Sequence, residues 1–199
     1  MSSIDCAEID NEFWDILSDK RLMPHFHISL QAGNNMILKR MKRRHSREMA
    51  IDFCNKVLSI RGDSTFGADI IAGFPTETEE MFKDSVKLID ECYLTHLHIF
   101  PYSPREHTPA ALMPQLDKTI IKNRARILRE EGLINLKKHL ASKIGKKDLI
   151  LVEKNKNKRA LGKDQKFLNV VVDEMVVEGS IIPCIYTGVE NNKLLAKRI

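Results

Sequence analysis

Cysteine is scarce and scattered. The 199 residues include four, Cys6, Cys54, Cys92 and Cys184, with no CxxC or CxxxCxxC grouping among them. So few cysteines in a chain this long argue against a disulfide framework. Cys54 and Cys92 fall on apolar faces of predicted helices, where a thiol packs as a small hydrophobe. Long apolar runs are also missing, so no segment reads as a membrane span. Asp5, Glu8, Asp10 and Glu12 occupy the stretch where a signal peptide would need a basic and then an apolar segment. No GxSxG, Walker loop or GxGxxG occurs, which leaves serine-hydrolase, P-loop and Rossmann readings without support. These absences place the chain in a reducing, cytoplasmic compartment with no membrane partner.

What is present suits a soluble α/β protein. Hydrophobic residues make up 43% of the chain, enough for a core, and charged residues 30%, with a mean hydropathy of -0.28. The formal net charge is +5, and it is unevenly spread. Lys39, Arg40, Lys42, Arg43, Arg44 and Arg47 lie between Met36 and Arg47 with no acid among them. From Lys118 to Lys147 only Glu130 and Glu131 interrupt a strongly basic stretch. Such clustering points toward a polyanion such as nucleic acid, although a solvated helix face in a lysine-rich chain reads the same way.

Along the chain, strand and helix patterns alternate. Residues 1–4 read as the tail of a strand and residues 7–18 as a helix. Residues 25–30 alternate as a strand, and residues 36–41 and 47–60 are helical. Residues 65–72 form the next strand. Thr76 and Glu79 have capping-box spacing ahead of a helix that runs to about Cys92. Residues 95–100 make a further strand, Pro101, Pro104 and Pro109 stiffen a loop, and residues 120–143 form a long basic helix. From Asp148 the pattern changes to short β runs at 149–152, 168–172, 181–186 and 194–196, punctuated by Gly162, Gly179 and Gly188. That spacing reads as a small β-barrel. The expected organisation is a partial α/β barrel of about three βα units over 1–142 and an all-β barrel over 143–199. A complete (β/α) barrel needs roughly 250 residues, so the first part reads as the C-terminal portion of a larger architecture.

Four polar strand ends stand out, and α/β enzymes keep ligands at such places. Gln31-Ala-Gly33 could hold a polar ligand against exposed backbone, or be an ordinary turn. Arg40, Arg43 and Arg44 could grip a carboxylate or phosphate through bidentate bonds, or form a solvated face. Asp69, Gly73 and Glu77 frame Gly-Phe-Pro at the next strand end. There Asp69 could pair with an arginine, and Glu77 could favour a helix N-terminus. Tyr102, Ser103 and Arg105 offer a ring and hydrogen-bonding groups in the proline-rich loop. His25, His27, His96 and His98 fall at i, i+2 on two strands, but no matching carboxylate or cysteine completes a metal set. They read as layer-filling polar residues, and no metal site is expected. Lys154, Lys156, Lys158 and Arg159 sit on a hairpin or loop of the tail, where Phe167 reads as core.

The strings HFHISLQAGNNMILKRMKRRHSRE, FGADIIAGFPTETEEMF and THLHIFPYSPREHTPAA resemble the radical S-adenosylmethionine methylthiotransferases, and most nearly their tRNA threonylcarbamoyladenosine branch. The tail resembles the TRAM domain, an RNA-binding β-barrel. The resemblance implies transfer of a methylthio group to C2 of a modified adenosine next to the tRNA anticodon, with the anticodon stem-loop as partner. It implies S-adenosylmethionine and two 4Fe-4S clusters as cofactors. By position it assigns Gln31, Gly33, Arg40, Arg43, Gly73, Glu77, Tyr102 and Ser103 to cofactor binding, and Asp69 at the same strand end is expected to join them. Arg105 matches a position near the substrate and is expected to face RNA, as are Lys154, Lys156, Lys158 and Arg159 through the positive charge of the tail. Ala32 stands where the family usually has serine.

The family holds its clusters through CxxxCxxC and through three cysteines of an N-terminal domain, and both regions would precede Met1. No catalytic residue is therefore assigned within this chain. The isolated chain is expected to be inactive, with a separate N-terminal half as a partner or with that half lost. The alternative is a non-catalytic remnant that at most binds RNA.

Overall fold

The computed structural model describes residues 1–199. They divide into two compact units, one formed by 1–22 and 26–135, the other by 23–25 and 136–199. Helix α5 (Lys118–Ala141) contributes residues to both.

In the first unit, β1 (His25–Gln31), β2 (Thr65–Ala72) and β3 (Leu94–Pro101) form a three-stranded sheet in that order, with β2 and β3 parallel. Side chains alternate across a strand, so each strand divides its residues between two faces. Phe26, Ile28, Leu30, Phe66, Ala68, Ile70 and Ile99 are buried. The alternate positions His27, Asp69 and His98 belong to the other face and are partly or fully exposed. Helices α3 (Arg47–Ile60) and α4 (Glu79–Glu91) join the same core through Phe53, Cys54 and Val57 and through Phe82, Leu88 and Ile89. One sheet face is thus apolar and covered, while the other carries polar side chains. Ile4 pairs in parallel with Ile28, so the chain's first residues lie strand-like along β1.

Two helix starts differ from the sequence expectation. The stretch 7–18 is not one helix but a 3-10 turn (Cys6–Glu8) followed by α1 (Asn11–Ile16). The Asp5 carboxylate accepts from the Ala7 N–H and the Asp10 carboxylate from the Phe13 N–H, at 3.0 and 2.9 Å. Each aspartate caps its own start and so divides the segment. Helix α4 is capped by Thr78, whose hydroxyl accepts from the Met81 N–H, rather than by Thr76. Thr76 has φ of 66°, outside the extended geometry of an N-cap. A turn closed by the Glu77 N–H on the Phe74 carbonyl precedes the helix.

The second unit is a closed barrel of β4 (Lys147–Lys156), β5 (Arg159–Asp164), β6 (Asn169–Val172), β7 (Ile181–Glu190) and β8 (Lys193–Arg198), in the order β4-β5-β6-β8-β7. Closure leaves no free sheet edge. Strand β5 escapes a hydrophobicity reading because it is polar and contains Gly162. That glycine is not a turn. A Cβ there would lie 2.1 Å from the Leu151 carbonyl oxygen, at the β-bulge of β4. Hairpins β4–β5 and β7–β8 turn through Asn157-Lys158 and Asn191-Asn192, each pair at positive φ as a type I′ turn requires. Buried Asp164 accepts from the Lys166 and Leu168 N–H groups and from the Tyr186 hydroxyl. Phe167, expected in the core, is 51% exposed with the Lys163 ammonium 3.4 Å above its ring. It lies at φ 66° just beyond the β5 end, which turns it outward.

Candidate functional site

The polar ends of β1, β2 and β3 open onto two adjoining clefts of the first unit. One, of about 370 Å³, is walled by Gln31, Arg40, Arg43, Ile71 and Phe74 among others. The second, of about 560 Å³, is walled by Gln31, Asp69, Tyr102, Ser103 and Arg105 among others. Both volumes lie in the range of small-molecule sites. Gln31, Ile71, Thr108 and Ala110 belong to both clefts. Gln31 has φ of 64°, a conformation in which strand β1 breaks off at the point the clefts share.

Local structure explains how the arginines are held. Helix α2 (Asn35–Arg40) is capped by Asn34, whose side-chain oxygen accepts from the Met36 and Ile37 N–H groups. Its last residue, Arg40, donates to the Thr76 carbonyl at 3.2 Å. Arg43 donates to Asp5 at 3.3 Å and to the Ser29 carbonyl at 3.1 Å, while its buried Nε has no partner. Arg43 is ion-paired with Asp5, whereas Arg40 bonds only a backbone carbonyl, so the smaller cleft keeps the positive charge of Arg40. That charge suits a carboxylate or phosphate. Arg44, by contrast, is exposed and paired with Glu8.

Three positions expected at a ligand have other engagements. A Cβ on Gly33 would come within 2.4 Å of the Ser85 Cα, and the Gly33 N–H donates to the Ser85 hydroxyl at 2.9 Å. Its missing side chain admits helix α4. Gly73, at φ 75°, would bring a Cβ within 2.8 Å of Ile121 Cγ1 and 3.1 Å of its Cα, so it admits helix α5. Glu77 is buried. It accepts from the Gly73 N–H at 3.1 Å and pairs with Arg124 at 2.8 Å. Burial raises the Glu77 carboxyl above its ordinary value, against the opposing pull of Arg124. None of the three walls either cleft. The sequence shows correctly that backbone is closely approached here, but helices make the approach.

Tyr102 does wall the larger cleft, with its ring against Phe74 at 5.4 Å in an edge-to-face arrangement. Its hydroxyl is buried and unpartnered. Ser103 and Arg105 are exposed.

Asp69 Oδ1 lies 3.0 Å from His27 Nε2 and 3.1 Å from His98 Nδ1. A carboxylate therefore does complete a set that seemed incomplete in sequence. It stands 42 residues from one histidine and 29 from the other, too far for a local sequence pattern to link them. The parallel register places Asp69 beside His98, which only knowledge of the strand pairing reveals.

In the second unit, Lys154, Lys156 and Lys158 are exposed on the β4–β5 hairpin. Arg159 is not free, since it pairs with Asp173 and Glu190, each at 3.1 Å.

All four cysteines are free and buried. Burial pushes the Cys6 thiol up to about 12 and the Cys54 thiol well above its ordinary value. Cluster ligation uses thiolates, and at these two positions burial favours the neutral thiol. No helix of the structure is long and apolar enough to cross a membrane.

Comparisons with known proteins agree with this architecture. The radical SAM superfamily model matches residues 3–89. The threonylcarbamoyladenosine tRNA methylthiotransferase MtaB of Rickettsia prowazekii is 49% identical over 191 residues, covering 96% of this chain and 44% of that protein. MtaB of Aquifex aeolicus is 42% identical over 132 residues, covering 65% and 32%. The tRNA-2-methylthio-N(6)-dimethylallyladenosine synthase of Bartonella bacilliformis is 33% identical over 183 residues, covering 89% and 39%. The chain thus spans less than half the length of these relatives. Among solved structures, the Escherichia coli radical SAM enzyme HemN, a coproporphyrinogen III oxidase, superposes with a TM-score of 0.50 at 16% identity. It covers 98% of this chain and 50% of that one, a likeness of fold alone. With the strand-end clefts, the three quoted strings and these relatives in agreement, the chain is similar over nearly its whole length to the radical S-adenosylmethionine methylthiotransferases.

Proposed function

We propose that this chain carries the cofactor-seating and RNA-facing parts of a cytoplasmic tRNA methylthiotransferase that acts on C2 of N6-threonylcarbamoyladenosine beside the anticodon. The observation that carries the reading is the 49% identity to MtaB along almost the whole chain. Supporting it, Gln31, Arg40 and Arg43 converge on one cleft. S-adenosylmethionine, when bound, supplies the radical chemistry and the methyl group. This chain's residues bind and orient. Arg40 and Arg43 hold the methionine carboxylate, and Gln31 fixes the group lying between the two clefts. Asp69, Tyr102 and Ser103 line the space for the nucleoside end. Arg105 and the lysines at 154, 156 and 158 receive tRNA phosphates, with affinity that falls as salt rises. Gly33, Gly73 and Glu77 keep the helices in the positions these groups need. Arg159, tied to two carboxylates, has a smaller part.

Equilibrium dialysis of the chain against S-adenosylmethionine tests the cleft. Binding is expected, and Arg40→Ala should weaken it about tenfold, the loss of one charge-assisted contact. Failure of the native chain to bind, or an unaffected Arg40→Ala variant, rules out this assignment. Because burial favours the neutral thiol at Cys6 and Cys54, which suits neither to ligate a cluster, the chain by itself is expected to leave tRNA unmodified. Mass spectrometry of digested tRNA, after anaerobic incubation with iron, sulfide and S-adenosylmethionine, checks this. A methylthiolated nucleoside made by the chain alone would overturn it.

A further inference from the structure

We propose that His27, Asp69 and His98 form a binding site for a borderline divalent metal ion, distinct from any iron–sulfur cluster. The three come from β1, β2 and β3, all on the polar face of the sheet, and their donor atoms lie within 4.8 Å of one another. The separations from Asp69 Oδ1 to the two imidazole nitrogens, 3.0 and 3.1 Å, suit neighbouring ligands on one cation. Metal–nitrogen and metal–oxygen bonds of about 2.0–2.2 Å meeting near a right angle place donors about 3 Å apart.

The backbone is shaped for this arrangement. Gly67, two residues before Asp69 on β2, has no side chain where the His27 ring lies. A Cβ there would sit 2.6 Å from His27 Nδ1. The absent side chain leaves room for the His27 ring, whose Nε2 meets Asp69. On the other side, the register sets Asp69 directly beside His98.

Two imidazoles and one carboxylate favour zinc, iron(II), cobalt(II) or nickel(II) over the hard cations magnesium and calcium, which prefer all-oxygen sites. Three protein ligands leave coordination positions open. Those positions are reachable, because Asp69 walls the 560 Å³ cleft and the His98 side chain is 63% exposed. A metal held here would offer an electrophilic position to an oxygen ligand entering that cleft. Two bare hydrogen bonds to one carboxylate oxygen would account for the same distances without an ion, and experiment separates the two cases.

The chain is stripped with a chelator and titrated with cobalt(II), with visible d–d absorption followed and zinc(II) then added as competitor. One equivalent of cobalt is expected to bind and to be displaced by zinc. His98→Ala and Asp69→Asn should each weaken binding by about tenfold or more, as loss of a ligand or its support typically does. His98 is exposed, so its removal leaves the core intact, and circular dichroism verifies the fold of both variants. If Asp69→Asn does not fold, His98→Ala decides alone. Absence of cobalt binding in the native chain, or binding unchanged in His98→Ala, overturns the proposal.

Discussion

Replacing Arg124 with methionine is expected to destabilise the α/β unit by about 3–5 kcal/mol at neutral pH, the usual effect of removing one partner from a buried ion pair. Arg124 donates to the Glu77 carboxylate at 2.8 Å and to the Glu77 carbonyl at 2.9 Å, reaches Glu79 at 3.3 Å, and lies over the Phe82 ring. Its loss would strand the Glu77 charge in a site whose remaining donor is the Gly73 N–H. Proton linkage sharpens the test. The folded-state pKa of Glu77 is already raised, with burial the largest cause and Arg124 opposing it. The folded protein therefore binds this proton more readily than the unfolded chain, and stability falls as pH rises from the unfolded value through the folded one. Without Arg124 the folded value rises further, so the loss should be largest at neutral pH. It should shrink as pH falls and Glu77 becomes neutral. Urea unfolding of both proteins at neutral and mildly acidic pH measures this. A loss independent of pH would mean that packing, not charge, is what Arg124 contributes. Substituting both residues with apolar ones should recover part of the stability, because no charge is then left unpaired.

That pair also shows where sequence reading stops. Strand and helix order, the polar strand ends and the change to short β runs were all legible, because each follows from local periodicity and turn chemistry. Gln31 ends β1, Asp69 lies on β2, Arg40 ends helix α2 and Arg43 follows it, and the structure brings these four to two adjoining clefts. What local pattern does not carry is the identity of a distant partner. Glu77 meets Arg124 across 47 residues, and nothing near Glu77 in sequence separates a carboxylate facing a ligand from one facing a helix. Asp69 completes the histidine pair only through the β2–β3 register. Strand β5 carries little hydrophobic signal because its outward residues are Arg159, Leu161 and Lys163 and its inward ones are Ala160, Gly162 and Asp164. That gives alternation of burial without alternation of hydropathy.

Gly73→Ala separates the two meanings of a glycine at a strand end. If the glycine admits a ligand, the variant should keep its stability and lose affinity for S-adenosylmethionine. The structure places helix α5 there instead, so the variant is expected to lose stability first. At φ 75° a β-carbon is strained by about 1–2 kcal/mol. Contact at 2.8 Å with Ile121 Cγ1 and 3.1 Å with its Cα adds an overpacking penalty of about 1–3 kcal/mol, because the Cα belongs to the helix and cannot rotate away. Together these amount to about 2–5 kcal/mol. Pushing α5 outward also draws Arg124 from Glu77, so Gly73→Ala and Arg124→Met should be less than additive in a double-mutant cycle. Ile121→Ala in the Gly73→Ala background should restore part of the loss by vacating the contact, even though it leaves the φ strain in place. Full stability in Gly73→Ala, together with loss of cofactor binding, would show instead that this backbone faces the ligand and that helix α5 yields to it.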